Sequence, residues 1–142
     1  MLKNFTDLSK RIAAAKAAFV AEAQTLVKPV LQTFMQEHPN IKALGWAQYT
    51  PYFNDGDPCI FHLHGMHASA TEDRDDDLHG DGWHEIYGDE PEDGFDKRDW
   101  IDINELEKAL GGMEEELQSV FGDHVRVLVT ARGVDVDEYE HD

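Results

Sequence analysis

The sequence predicts an α+β fold in which two helices pack on one face of an antiparallel sheet of about four strands. Two long segments have the apolar period of three to four residues that is typical of helices. Short apolar runs joined by turn signals indicate antiparallel pairs of strands. The predicted order is helix, strand, strand, acidic insert, helix, strand, strand, and the length of 142 residues predicts a single domain, 1–142.

The first element is predicted to be a long helix over residues 6–37, with Thr6 or Asp7 as its N-cap. Its apolar stripe includes Leu8, Ile12 and Phe19 and is expected to face the core. Seven alanines between Ala13 and Ala23 make this part of the helix slim. The alanine-rich face predicts close packing on the sheet, and the alternative is a helix–helix contact in a homo-oligomer.

Two strands are predicted over residues 41–53 and 58–67, since the first contains four aromatic residues that suit a pleated surface and the second alternates along its length. The turn between them is the segment 54–57, which contains Gly56. Alternation along the second strand places His62, His64 and Met66 on one face.

The second half of the chain predicts a helix that begins at Asp102, with Glu105 in the position of a capping box. Gly111-Gly112 lies inside this helix, so the helix either tolerates the pair or breaks there. Two further strands are expected, and they form a hairpin at the end of the chain. The strands are Val125–Thr130 and Val134–Tyr139, joined through Arg132-Gly133.

The segment between the halves is strongly acidic. Sixteen of the thirty-six residues from Glu72 to Glu107 are Asp or Glu, and the chain as a whole has a formal net charge of −18. Residues 68–99 have no sustained period but contain several large apolar side chains, so we expect a partly ordered insert. The apolar side chains that would hold it are Leu78, Trp83, Ile86, Tyr87 and Phe95, and Trp83 to Tyr87 is a candidate short strand.

Such a density of carboxylates favours a non-enzymatic interaction protein that binds a basic protein surface. In one form of this hypothesis the partner is a nucleic-acid-binding protein, which the chain binds by imitating a row of phosphates. The predicted partner-binding residues are Asp73, Asp75, Asp76, Asp77, Asp81, Glu90, Glu92 and Asp93.

A cluster of histidines offers a second hypothesis, a divalent-metal-binding protein or a metal-dependent hydrolase. His62 and His64 are two residues apart on a predicted strand and His67 follows. Imidazole together with carboxylate suits zinc, manganese or iron. The spacing of these histidines matches no established metal-binding motif. The interaction-protein hypothesis predicts no cofactor, whereas the metal hypothesis predicts a bound divalent metal.

An aromatic segment before the turn offers a third hypothesis, a binder of small planar ligands. The candidate ligand-binding residues are Trp46, Tyr49, Tyr52, Asn54 and Asp55. The pattern W-x-Q-Y-T-P-Y-F-N-D-G-D-x-C over residues 46–59 resembles a segment of small uncharacterised proteins of phage and bacterial genomes. The resemblance implies a small accessory or inhibitor protein and assigns no catalytic residue. A hairpin whose aromatic residues belong to the core explains the same string.

Several classes are disfavoured by the sequence. Direct nucleic-acid binding and membrane association are not expected, because the acidic body repels phosphate and no apolar run is long enough to span a bilayer. One cysteine cannot form an internal disulfide and the N-terminal segment lacks a signal-peptide pattern, so a cytoplasmic protein is expected. Cys59 is expected to be a buried, inert thiol.

Overall fold

The computed structural model describes residues 2–52, 56 and 59–140 and shows an α+β fold with an antiparallel sheet. Over this part of the chain there are five strands and three helices, rather than about four and two. The additional elements are a short strand, which lies within the candidate strand Trp83 to Tyr87 of the acidic insert, and a third helix that results from a break at Gly112. In chain order the elements are α1 (Leu2–Glu37), β1 (Ala43–Tyr49), β2 (His62–Ser69), β3 (His84–Glu85), α2 (Lys97–Gly111), α3 (Glu114–Phe121), β4 (Val125–Thr130) and β5 (Gly133–Glu138).

The strand order in the sheet is β3-β2-β1-β4-β5, so β1 occupies the centre. Six of the seven β1 residues are buried, which shows that both faces of this strand are covered. Leu44 and Trp46 share one apolar core with all three helices, whereas Ala43 packs with Leu78 and Trp83 of the insert. We call the face opposite the helices the outer face. The sheet therefore lies between a helical layer and the insert.

A β-bulge changes the predicted faces of β2. Gly45 pairs with His67, but Ala47 pairs with His64, so one extra residue of β2 is accommodated opposite Trp46. Gly65, at φ 53°, has the left-handed backbone that this irregularity requires. As a result Met66 joins the helical core while His64 lies beside the outer-face residue Ala47. The prediction that His64 and Met66 share a face is wrong for this reason.

Helix α1 faces the core with a different row of residues from the predicted one. Ala23, Val27, Leu31 and Met35 are buried at intervals of four, all in the C-terminal half. The predicted stripe is largely exposed, and every residue from 4 to 19 is exposed. Close packing of the alanine-rich face on the sheet is therefore a wrong prediction. The helix also begins upstream of Thr6, so the predicted N-cap is wrong.

Helix α2 begins five residues earlier than predicted. The side chain of Asp96 accepts a hydrogen bond from the backbone N–H of Asp99 at 2.7 Å and acts as the N-cap. Asp102 lies inside the helix, where its carboxylate is 2.8 Å from Nε2 of His38 and links α2 to the end of α1. The helix ends at Gly111, with Gly112 as its C-cap. Of the two predicted outcomes for the glycine pair, the break is observed.

A buried amide fixes α3 to the sheet. Gln48 is fully buried and its Nε2 donates to the carbonyls of Leu117 at 2.9 Å and Gly122 at 2.8 Å. Its Oε1 accepts the indole N–H of Trp46 at 3.0 Å. These bonds tie the central strand to a carbonyl inside α3 and to the carbonyl of its C-cap residue. The Trp46 ring is consequently held in the core, on the helical face.

Two details near the ends of strands differ from prediction. Thr130 pairs with Gly133, so Ala131-Arg132 forms the β4–β5 turn instead of Arg132-Gly133. Cys59 precedes β2 and is exposed, so the expectation of a buried thiol is wrong. The predicted strand β5 is present at the edge of the sheet, and its alternating Asp135 and Asp137 lie beside outer-face residues of β4.

Candidate partner-binding face

The acidic insert is anchored to the outer face by two apolar side chains. Leu78 and Trp83 are buried against Ala43 and Leu128. Gly45 makes this approach feasible, because a Cβ at this position would lie 2.5 Å from Cδ2 of Leu78. Ile86 and Phe95 are buried as well, but they join the helical core. Tyr87 is 85% exposed, so the expectation that it helps to hold the insert is wrong.

Hydrogen bonds fix the course of the loop between Asp75 and Asp81. The backbone N–H of Asp75 donates to the carbonyl of Asp81 at 2.8 Å, and the indole N–H of Trp83 donates to the carbonyl of Asp75 at 2.8 Å. Oδ1 of Asp75 accepts from the N–H of Asp77 at 3.0 Å, and Oδ1 of Asp77 accepts from the N–H of His79 at 2.9 Å. Such side-chain turns are typical of aspartate. The loop is irregular in secondary structure but defined in conformation.

The predicted partner-binding carboxylates are all exposed, and they fall into two groups. Five lie on the loop that covers the outer face, and three follow β3 on the way to α2, where Glu92 lies 3.9 Å from His84. The first group is Asp73, Asp75, Asp76, Asp77 and Asp81, and the second is Glu90, Glu92 and Asp93.

A recess on the outer face brings part of the first group together with a distant segment. This outer recess has a volume of about 800 Å³. Its carboxylate lining consists of Asp75, Asp76 and Asp77 from the insert and Asp137, Glu138 and Glu140 from the end of the chain. Sequence reasoning missed the second set. The alternation of Asp135 and Asp137 on an edge strand was the signal that could have found it, since both then lie on one face.

Arg126 contributes a guanidinium group to the lining of the recess. It donates to the backbone carbonyl of Asp76 and lies 3.5 Å from Asp137. It therefore links the insert to β5 across the sheet, and it neutralises one carboxylate. Among the described residues that line the recess, six carboxylates stand against this one guanidinium and three histidines, His64, His67 and His79.

Two of the three predicted histidines are neighbours, since the rings of His62 and His64 lie edge-on at 6.2 Å, but His67 does not complete a group with them. His62 lies 3.1 Å from a carboxylate oxygen of Glu114 at the start of α3. His64 stacks on Tyr49 with ring centroids 3.8 Å apart, and His67 lies edge-on to His79 at 5.2 Å. Across residues 2–52, 56 and 59–140, no three His, Cys, Asp or Glu side chains are grouped in a way that could hold a metal ion.

His67 is almost fully buried, at 5% exposure, and its Nδ1 is bonded to the carbonyl of Gly65. Burial lowers the pKa of His67, and the neighbouring His79 lowers it further, while the hydrogen bond to Gly65 opposes the shift. His67 thus stays neutral at pH 7 and does not offset the negative charge of the recess.

The predicted planar-ligand site is divided by the sheet. Trp46 is fully buried on the helical face, so its inclusion in a ligand-binding surface is a wrong prediction. Tyr49 lines the outer recess, where it stacks with His64 and, at 5.6 Å, with Tyr139. Tyr52 is exposed and stacks with His124 at 4.8 Å. Asn54 and Asp55 lie outside the described residues.

No protein-family model, curated protein or solved structure matches the chain. Within the part of the chain that the structure describes, none of the helices is both long enough and apolar enough to cross a membrane. The functional argument therefore comes from the outer face itself.

Proposed function

We propose that the chain is a non-enzymatic interaction protein whose outer face binds a basic segment of another protein. The observation that carries this proposal is the convergence of two acidic segments on one recess. Asp75 to Asp77 and Asp137 to Glu140 are some sixty residues apart in sequence, yet they line the same concave surface. A merely solubilising charge needs no such convergence.

Electrostatics favours a cationic occupant. Closely spaced carboxylates repel one another, and the repulsion is greatest in a recess, where solvent screens less well than on an open surface. The side chain of a lysine or arginine relieves this repulsion and gains charge-assisted hydrogen bonds. The opening of about 800 Å³ accommodates side chains of that size. The same field accelerates the encounter with a basic surface.

The anchoring of the insert also favours binding. Leu78 and Trp83 hold the loop on the sheet, and the turns at Asp75 and Asp77 hold its backbone. Carboxylates that are already positioned lose less conformational entropy when a partner binds. The insert is therefore pre-organised for binding.

Nucleic-acid-binding proteins are the basic partners that this proposal favours, since their binding surfaces are built to meet rows of phosphate charge. In that case the chain acts as an inhibitor or accessory factor that competes with nucleic acid. The competition itself is the test: DNA or RNA should displace the chain from a captured partner. Partners that hold nucleic acid and this chain at the same time would contradict the mimicry but not the basic-surface proposal.

The proposal is tested with two variants of equal charge. Asp75→Asn, Asp76→Asn and Asp77→Asn together neutralise the recess and keep the side-chain oxygens that accept the loop hydrogen bonds. Glu37→Gln, Glu105→Gln and Glu115→Gln together neutralise exposed carboxylates of the helices. Both variants carry a formal charge of −15 instead of −18. Binding of a short Lys/Arg-rich peptide is measured by calorimetry at low and physiological salt.

The asparagine variant should lose about tenfold in affinity, equivalent to about 1.4 kcal/mol. The glutamine variant should stay close to the wild type. Affinity should also fall as salt screens the charges. Equal losses in the two variants would show that only the net charge matters and would contradict a binding site on the outer face.

A further inference from the structure

A second surface of the molecule lies on α1, away from the acidic recess. We call residues 4–19 the arm, because all of them are exposed. An isolated helix of this length is only marginally stable in water, even when it is rich in alanine. The arm nevertheless continues α1 as a regular helix. A partner for the arm would supply the stabilisation that the body of the protein does not.

The arm carries an apolar stripe. Six large apolar side chains are exposed between residues 4 and 37 of α1, and at 3.6 residues per turn they lie within an arc of about 60°. The stripe is about 38 Å long at 1.5 Å per residue. Four of its members recur every seven residues, as in a coiled-coil seam. The stripe consists of Phe5, Leu8, Ile12, Phe19, Leu26 and Val30, and the members in sevenfold register are Phe5, Ile12, Phe19 and Leu26.

The C-terminal end of the stripe runs into a groove. This groove lies between α1 and the helical segment formed by α2 and the start of α3, and its volume is about 380 Å³. On α1 it is lined by Phe19, Leu26 and Val30 of the stripe, and on the other side by Leu106 and Met113, among others. Its lining is almost entirely apolar. The two charged residues that line it are Glu22 and Glu116.

Charge complementarity identifies the occupant and its direction. The arm carries Lys10, Arg11 and Lys16 against Asp7, whereas the groove has two glutamates in its lining. An antiparallel pair of α1 helices places the basic arm of one copy along the acid-flanked groove of the other. A parallel pair would instead set the two basic arms side by side.

We propose that α1 binds a second copy of the chain in this antiparallel arrangement. Ile12 of one copy then lies near Leu26 of the other, and Leu8 enters the groove near Val30. In this register the twofold axis passes near residue 19, so Phe19 of one copy lies close to Phe19 of the other. Two equivalent contacts result, as a twofold axis requires.

The mass of the protein in solution tests this arrangement, measured by sedimentation over a range of concentrations. Phe5→Glu combined with Ile12→Glu puts two charges into the stripe. Ala14→Glu combined with Ala21→Glu makes the same change, at the same spacing, on the opposite side of α1. The wild type and the alanine-site variant should be dimers, and the stripe variant should be a monomer whose far-ultraviolet circular dichroism shows loss of helix.

Cross-linking then tests the direction, with Cys59→Ser as background because Cys59 is exposed. A mixture of the Ile12→Cys and Leu26→Cys proteins should form mixed disulfides, and Ile12→Cys alone should form few. Efficient self-linking of Ile12→Cys would show a parallel pair and overturn the proposal. A wild-type protein that stays monomeric would also overturn the proposal, and the stripe would then belong to a different partner. A dimer that persists in the stripe variant would overturn it as well.

Discussion

The arm of α1 and the acidic insert differ in what stabilises them. The arm belongs to a helix of 36 residues, and all of its residues are exposed. The insert is mostly irregular, yet Leu78 and Trp83 bury it against the sheet and a set of backbone and aspartate hydrogen bonds defines its loop. In this molecule a regular helix is thus not evidence of burial, and an acidic composition is not evidence of a loosely held segment.

The largest contrast between the two regions is expected from one substitution made in each. Leu78→Ala removes a buried side chain from the outer face and should lower the free energy of unfolding by about 2 kcal/mol or more. Leu8→Ala removes an exposed side chain and should change it by less than about 0.5 kcal/mol. Chemical denaturation of dilute samples, in which association through the arm would be weakest, measures both. Similar losses would contradict the assignment of the insert as the anchored region.

A smaller loss is expected when the space beneath the insert is filled. A Cβ added at Gly45 would lie 2.5 Å from Cδ2 of Leu78, so the side chain of Gly45→Val clashes with Leu78. The substitution should lower the free energy of unfolding by about 1–3 kcal/mol and loosen the insert. Gly111→Val makes the same change at a position where an added Cβ meets nothing within 4 Å, and it serves as the control. Limited proteolysis should cleave the insert of the Gly45 variant faster. Unchanged cleavage together with unchanged stability would show that Gly45 does not set this contact.

The smallest effect concerns the other end of α1, which is tied to α2 by His38. Burial opposes protonation of His38, but hydrogen bonds to Asp102 and to the carbonyl of Phe34, with the charge of Asp102, outweigh it and raise the pKa. A raised pKa in the folded state stabilises the protein fully below pH 6.5, and this contribution is lost as the pH rises through the folded-state pKa.

His38→Gln should therefore cost about 1–2 kcal/mol in acid and less in alkali. Thermal unfolding of the two proteins at about pH 5.5 and pH 8.5 measures the difference. The gap in melting temperature between wild type and variant should narrow as the pH rises. A gap that is constant or widens would mean that the ion pair with Asp102 does not stabilise the junction of α1 and α2.

The fold class and most elements could be predicted from sequence, because period and turn signals are local. The row of α1 residues that faces the core could not be predicted from sequence. Phe19 and Val27 are similarly apolar, and only the position of the sheet decides which of them is buried. The start of α2 was misplaced because both Asp96 and Asp102 are acceptable N-caps, and a tertiary contact with His38 uses the second.

The candidate site was predictable in part, for a similar reason. The carboxylates of the insert are visible as a run, and all eight predicted residues are exposed. Their convergence with Asp137 and Glu140 depends on the pairing of β5 with β4, which brings the end of the chain to the outer face. The faces of His64 and His67 depend on a single bulge beside Gly65, which alternation along the strand does not reveal.

The most direct measurement of the outer-face proposal is a titration of the isotope-labelled protein with the Lys/Arg-rich peptide, followed by backbone amide chemical shifts. The account predicts that the shifts change along Asp73–Asp81 and along Asp135–Glu140, the two segments that border the outer recess. Changes of equal size around Glu105 and Glu115 on the helices would contradict it, because the peptide would then be responding to charge anywhere on the molecule.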